Sequence, residues 1–129
     1  MGRDARIARK KSAMQFHFDL AQDHLRAELF GRQTAEETQQ FVAALLAEIR
    51  RTAARRILIW MRNSRAIFRD EFKPLASLPD VHVALLADSD EVRASHQYLE
   101  VLAAQHGSRL RAFRHEARAL AWLRAQSQE

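Results

Sequence analysis

A chain of 129 residues without a cysteine and with 47% hydrophobic residues is long enough for one globular domain, and it excludes disulfides, cysteine-ligated metals and thiol catalysis. Its net charge of +5 is concentrated in one segment, because residues 1–13 carry five basic side chains against a single acidic one, Asp4. The remainder is close to neutral and lacks the basic face of a nucleic-acid-binding domain, so we expect no nucleic-acid partner.

The basic segment at residues 1–13 has no hydrophobic centre of the kind that a secretory signal peptide needs. Met14 directly precedes the first predicted strand. We therefore expect a flexible, dispensable tail over residues 1–13 and a single domain over residues 14–126. The longest apolar runs fall far short of the roughly 20 residues of a membrane helix, so we expect no membrane span. The absence of cysteine fits a reducing compartment, so we expect a cytoplasmic protein.

The first predicted elements are a β-hairpin and a helix. Apolar and polar side chains alternate over residues 15–20 and 24–30, which is typical of two half-buried strands joined by residues 21–23. Thr34 and Glu37 have the spacing of a capping box, in which each side chain bonds the backbone N–H of the other. The apolar face of the helix that follows consists of Thr38, Phe41, Val42, Leu45, Leu46, Ile49 and Ala53.

Two apolar runs predict the centre of a sheet. In the strand predicted over residues 56–61, residues 57–61 are apolar without alternation, as in a strand that is covered on both faces, and residues 81–87 repeat this pattern. A short helix is predicted between them, over residues 69–77. Since a helix joins the two strands, we expect the strands to be parallel.

The last third of the chain predicts a helix, a strand and a second helix. Asp88 or Ser89 is placed to cap the first of these helices, with Glu91 as the reciprocal partner, and Gly107 ends it. Its expected inward face is Val92, Ser95, Leu99, Leu102, Ala103 and His106. Residues 109–113 have the charges of an edge strand. We expect the final helix, over residues 116–124, to pack through Ala117, Leu120, Ala121 and Trp122 or Leu123.

These elements predict an α/β domain with a mixed sheet of about five strands, in which an N-terminal hairpin is followed by alternating helices and parallel strands. The segment VALLADSDEVRASHQYLEVLAAQHG, followed by LRAFRHEARALAWL, resembles the C-terminal half of small bacterial STAS-type proteins, the SpoIIAA-like group. Together with the hairpin and helix before it, the resemblance spans about 110 residues.

The resemblance implies a non-enzymatic regulatory module that binds a protein partner, as anti-sigma-factor antagonists bind a kinase. The group is also similar to CRAL-TRIO lipid carriers, so the alternative is a carrier or sensor of a small apolar or anionic ligand. Antagonists of this group are phosphorylated on a Ser of an Asp-Ser-Ser-Gly element after the central strand. Residues 62–72 contain no such element, since Asp70 is followed by Glu71 and Ser64 lies too early to match. No phosphorylation switch can therefore be transferred.

We expect a binding site where loops follow the carboxyl ends of the parallel strands. This edge collects Arg62, Asn63, Ser64, Arg65, Asp88, Ser89, Arg114 and His115. Arginines beside helix N-termini can hold an anion, with the serines donating hydrogen bonds. Asp88, Ser89 and His115 also stand where a helix needs a cap whatever its function. Both interpretations stand at this point.

No pattern indicates catalysis, a cofactor or a metal. The histidines never show H-x-x-x-H or H-E-x-x-H spacing, and we expect His82 to be a core residue. Ser64, His115 and Asp88 can be drawn as a triad, but no nucleophile elbow surrounds the serine. We therefore expect a non-enzyme. Five aromatic residues suit either a lipid pocket or a core: Trp60, Phe68, Phe72, Tyr98 and Trp122.

Overall fold

A computed structural model describes residues 14–65, 80–107 and 109–126. The strands are β1 (Gln15–Leu20), β2 (Leu25–Phe30), β3 (Arg56–Arg62), β4 (His82–Ala87) and β5 (Arg109–Phe113), and the helices are α1 (Ala35–Thr52), α2 (Asp90–Gln105) and α3 (Glu116–Ala125). The five strands form one sheet in the order β1-β2-β3-β4-β5. β1 is antiparallel to β2, and every other neighbouring pair is parallel.

This architecture confirms the predicted mixed sheet with its N-terminal hairpin. The boundaries of β1 coincide with the alternating segment, because the polar side chains on one face and the phenylalanines on the other leave no ambiguity of register. The tail expected at residues 1–13 and the helix expected over residues 69–77 lie outside the described residues.

The larger hydrophobic core lies between one face of the sheet and helices α1 and α2. Alternate residues of each strand point into it, as the pleat of a strand requires. Its largest fully buried side chains are Phe41, Leu25, Leu29, Leu45, Ile57, Ile59, Met61 and Leu85. α1 contributes to it through the face that its apolar spacing predicts, except that Ala53 ends the helix and is exposed.

A smaller core lies on the other face of the sheet, beneath α3. Leu58, Ala84 and Leu86 pack there against Ala119 and Leu123. β3 and β4 are therefore buried on both faces, as their uninterrupted apolar runs predict. α3 packs on β3, β4 and β5, whereas the outer faces of β1 and β2 carry the polar side chains His17, Asp19, Arg26 and Glu28.

The capping box at the start of α1 is confirmed. The Thr34 hydroxyl accepts a hydrogen bond from the Glu37 N–H at 3.1 Å. The Glu37 carboxylate in turn accepts from the N–H groups of Thr34, at 3.2 Å, and Gln33, at 2.6 Å. Two N–H groups that a helix start would leave without partners, those of Thr34 and Glu37, are thereby satisfied, together with that of Gln33 just before the helix.

Replacing Thr34 with alanine should lower the free energy of unfolding by about 1 kcal/mol, because the Glu37 N–H loses its acceptor. Urea denaturation at neutral pH measures this change. Gln39→Ala, at an exposed position of the same helix, is the control and should change stability by less than about 0.5 kcal/mol. Equal stability of the two variants would contradict the importance of the cap.

The start of α2 differs from the expectation in one respect. Ser89 is the N-cap and accepts from the N–H of Val92 at 3.2 Å. A reciprocal bond must come from the residue three positions on, which is Val92, so the role predicted for Glu91 is wrong. His106, expected to face inward, is exposed, and His96, which was not expected there, is fully buried.

The packing faces of α3 and two aromatic positions also need correction. Ala119 and Leu123 are the buried residues of α3, whereas Ala117 and Ala121 are exposed. Alanine is small enough for either environment, so the alanines do not define a face. Tyr98 is 48% exposed and therefore not a core residue. His82 is partly buried and packs edge-on against Trp122, with 5.6 Å between ring centroids.

Candidate functional site

The loop after β3 is fastened to the loop after β2. The Gly31 N–H donates to the carbonyl of Arg62 at 3.0 Å, and the Arg65 N–H donates to the carbonyl of Arg32 at 3.0 Å. The Ser64 hydroxyl donates to the Arg62 carbonyl at 3.0 Å and accepts from the Arg32 N–H at 3.3 Å. These bonds extend the β2–β3 ladder beyond the strands. The Ser64 hydroxyl both donates and accepts a hydrogen bond here, so its role is to hold the two loops together.

A second tie joins this loop to the end of β4. Asn63 adopts a left-handed conformation with φ 50°, which asparagine tolerates better than most residues. Its N–H is directed at the Asp88 carboxylate, 3.2 Å from Oδ1 and 3.1 Å from Oδ2, and the Asp88 N–H donates to the Met61 carbonyl at 3.3 Å. Asp88 therefore joins two loops. Of the two residues predicted as the N-cap of α2, Ser89 is the one that caps the helix.

Arg114 lies beside a separate groove, between the first turns of α2 and the end of β5. The groove has a volume of about 260 Å³, and Asp90 and Arg93 line it as well. Arg93 donates to the Ala87 carbonyl at 2.9 Å and also bonds Asp90. The hydrogen bond from Arg93, followed by the positive charges of Arg93 and Arg114, lowers the pKa of Asp90. The Arg114 side chain itself is exposed.

His115 occupies the N-cap position of α3, but its side chain makes no capping hydrogen bond and is exposed. Ser64 bonds the Arg62 carbonyl, and Asp88 bonds the Asn63 N–H. Neither of them contacts His115 through a hydrogen bond within the described residues. The triad that can be drawn from the sequence is therefore not assembled.

Arg62 turns away from the loops and lies on the outer face of the sheet. Its guanidinium carbon stands 3.9 Å from the centroid of the Trp60 ring, which is cation–π geometry. Its Nη2 is 3.5 Å from Oε2 of Glu28. Of the eight predicted site residues, Arg62 thus belongs to a different surface from Asn63, Arg65 and Asp88.

That outer surface holds a charged network that the sequence reasoning missed. Arg26 donates through Nη1 to Glu116 at 2.9 Å and through Nη2 to Glu28 at 2.9 Å. The Trp60 Nε1–H donates to Glu116 at 2.7 Å. The network therefore connects β2, β3 and α3. Its signal is the pairing of Glu28 with Trp60 in the parallel register, which becomes visible only once β2 is placed beside β3.

The electrostatics of this network keep its members ionised. Partial burial alone would raise the pKa of Glu28, but the hydrogen bond and charge of Arg26, with the charges of Arg62 and His17, outweigh it and lower the pKa. The hydrogen bond from Arg26 lowers the pKa of Glu116, and that from Trp60 lowers it further. Mutually neutralised, fixed charges of this kind suit recognition of a surface better than proton transfer.

Two polar residues, His96 and Arg32, are buried near these loops. His96 is fully buried with its Nε2 3.3 Å from the Met61 sulfur, and its Nδ1 has no hydrogen-bond partner in the part of the chain that the structure describes. Burial lowers the pKa of His96 to about 3, with a further contribution from the charges of Arg32 and Arg93. Arg32 is itself only 3% exposed and donates to the Thr38 hydroxyl at 3.0 Å. The spacing of residues 92, 96, 99 and 103 was the available signal for His96.

Over residues 14–65, 80–107 and 109–126, no group of three or more histidine and acidic side chains is arranged to hold a metal ion. No helix within the same ranges has the length and apolar character needed to cross a membrane.

No family model matches the chain, and no curated protein matches it. Among solved structures, the chain is similar to the crystal structure of an anti-sigma factor antagonist from Mycobacterium paratuberculosis, with a TM-score of 0.58 and 12% sequence identity. The superposition covers 88% of this chain and 96% of that chain. Similarity at this identity concerns the fold. The protein thus has the STAS-type, SpoIIAA-like fold that its sequence pattern predicts.

Proposed function

We propose that the protein is a non-enzymatic regulatory module that acts by binding a protein partner. The observation that carries the proposal is the structural similarity to an anti-sigma factor antagonist over 88% of this chain and 96% of that one. On this proposal the partner is an anti-sigma factor, and the module works in the cytoplasm without a cofactor. Its lack of cysteine suits that compartment.

The binding surface of this proposal is the edge formed by the loops after β3, β4 and β5. Residues 63–65, which follow β3, are held by a backbone bond to Arg32 and by the Asp88 carboxylate, so their conformation is set before a partner arrives. A preorganised loop loses little conformational entropy on binding. The exposed side chains of Arg65 and Arg114 can then pair with carboxylates of the partner.

The hydrogen bonds of the two serines at this edge favour binding over hydrolysis. The Ser64 hydroxyl donates a hydrogen bond to the Arg62 carbonyl, and the Ser89 hydroxyl accepts one from the N–H of Val92 at the start of α2. A nucleophilic serine needs an adjacent base that takes its proton, and neither serine bonds such a group within the described residues. Their roles are structural.

Charge reversal at the proposed surface tests the function. Calorimetric titration with each purified anti-sigma factor of the source organism should show binding of the wild type, and Arg65→Glu or Arg114→Glu should weaken it about tenfold or more. Arg55→Glu is the matched control, because Arg55 is exposed at the opposite end of β3. The proposal fails if no anti-sigma factor binds, or if Arg55→Glu weakens binding as much as the other two.

The alternative is a carrier or sensor of a small apolar or anionic ligand. It places the ligand between the sheet and the helix expected over residues 69–77, which lies outside the described residues. Native mass spectrometry of gently purified protein separates the alternatives. An added mass that disappears on denaturation would favour the carrier, and an unmodified chain mass would favour the binding module.

A further inference from the structure

β1 forms one edge of the sheet, and within the described residues its backbone bonds only β2. The hairpin is closed by a hydrogen bond from the Ala21 N–H to the His24 carbonyl at 2.8 Å. Bonded and non-bonded pairs alternate along antiparallel strands, so the odd-numbered residues of β1 bond β2. The backbone N–H and C=O groups that point outward therefore belong to Phe16, Phe18 and Leu20.

The opposite edge of the sheet is protected, and β1 is not protected in the same way. At β5, the Glu100 carboxylate accepts the outward N–H of Ala112 at 2.8 Å. β5 also carries Arg109 and Arg111 without any acidic residue, so a second copy of β5 would bring only like charges to the interface. β1 carries one histidine and one aspartate, and it ends in Leu20, which is 58% exposed.

Basic and acidic side chains alternate on the outer face of β1 and β2. His17 stands opposite Glu28, with 3.2 Å between Nε2 and Oε1, and Asp19 stands opposite Arg26 in the register of the hairpin. An added strand that continues this alternation must present an acidic group to His17 and a basic group to Asp19. Complementary polar groups directly across a strand pair stabilise it, and an imidazole N–H donates to a carboxylate even when the ring is neutral.

A second copy of β1 meets this requirement in one register. When two copies pair antiparallel about Phe18, His17 of each lies opposite Asp19 of the other, twice over because the arrangement is two-fold symmetric. The same register opposes Leu20 to Phe16, and its bonded pairs use the outward backbone groups. Pairing about His17 instead opposes that residue to itself and leaves Asp19 opposite Gln15, so both His17–Asp19 pairs are lost.

We propose that two copies of this chain associate through β1, antiparallel about Phe18, to form a continuous sheet across a two-fold axis. The proposal does not rest on the proposed function, because it uses the β1 edge and not the loops after β3, β4 and β5. It gives the exposed Leu20 and the polar side chains of His17 and Asp19 a common role in a self-complementary interface.

Sedimentation equilibrium of the full chain at increasing concentration tests the proposal. The wild type should approach twice the mass of the chain. Leu20→Lys should raise the dissociation constant about tenfold or more, because the lysine would lose its water against Phe16 of the second copy. Val101→Lys is the matched control, since Val101 on α2 is equally exposed, at 59% against 58% for Leu20, and should leave association unchanged.

Asp19→Lys is a second, independent variant. It places a lysine opposite His17 of the other copy in both symmetric positions, so it should also weaken association about tenfold or more. As a control, thermal unfolding at a concentration where the wild type is monomeric should show a cooperative transition for both variants, which establishes that they are folded. The proposal is overturned if the chain stays monomeric throughout, if neither β1 variant weakens association, or if Val101→Lys is the variant that does.

Amide hydrogen exchange locates the interface directly. The outward amides of Phe16, Phe18 and Leu20 should exchange rapidly in the monomer and about tenfold more slowly once nine-tenths of the chain is dimeric. The amides of His17 and Asp19, which bond β2, should be protected in both states. Outward amides that are already protected in the monomer would show that another part of the same chain covers this edge, and would overturn the proposal.

Discussion

Lowering the pH from about 6.5 to about 4.5 should reduce the free energy of unfolding by about 2 kcal/mol through His96 alone. The imidazole of an unfolded chain titrates at its ordinary pKa of 6.5, whereas burial lowers the pKa of His96 in the folded protein to about 3. Below pH 6.5 the unfolded state therefore binds a proton that the folded state does not bind. The contribution of the neutral His96 to the free energy of unfolding is complete above pH 6.5 and is lost progressively as the pH falls towards 3.

Urea denaturation at a series of pH values measures this dependence, and His96→Leu should flatten it because the leucine cannot bind a proton. His106→Leu, at an exposed position beyond the end of the same helix, should keep the slope of the wild type. The range above pH 4.5 is chosen because the pKa values of Glu28 and Glu116 are lowered from 4.5, so their stabilising contribution is lost only at lower pH. An unchanged slope in His96→Leu would contradict the assignment.

Replacing Phe41 with alanine should cost about 3–5 kcal/mol, because a fully buried aromatic ring is removed and the cavity cannot close completely. The Phe41 ring stands 5.5 Å from that of Phe16 and 6.2 Å from that of Phe18, measured between centroids. The variant therefore removes the aromatic contact between α1 and β1 as well as core volume.

Urea and thermal denaturation give the stability of this variant. Gln40→Ala, at the neighbouring exposed position of α1, is the control and should stay within about 0.5 kcal/mol of the wild type. If Phe41→Ala costs less than about 1 kcal/mol, the core around β1 must be able to repack, and the ring is not the anchor of this strand.

The fold was predictable from the sequence because its elements differ in periodicity. The alternation of residues 15–20 and the uninterrupted apolar run of residues 57–61 distinguish an edge hairpin from a central strand on the sequence alone. The capping box of Thr34 and Glu37 marks the helix between them. Elements with small apolar residues are less well determined, which is why the alanines of α3 were assigned to the wrong face.

The candidate site was predictable in part. The rule that loops gather beyond the carboxyl ends of parallel strands placed Asn63 and Asp88 at one edge, where the structure joins them by a hydrogen bond. The rule does not say which carboxylate caps a helix and which holds a loop, since both tasks need the same acceptor. The network of Arg26 with Glu116 joins residues 90 positions apart, so it depends on strand order and helix placement and not on any local pattern.

The position of the two indole rings has a practical consequence. Trp60 and Trp122, the only tryptophans of the chain, both border the smaller core beneath α3, and the Trp60 indole N–H donates to Glu116 at the start of that helix. Intrinsic fluorescence is therefore a spectroscopic probe of one side of the sheet, while circular dichroism averages over both. Coincident transitions by the two methods would mean that the two sides melt as a single cooperative unit.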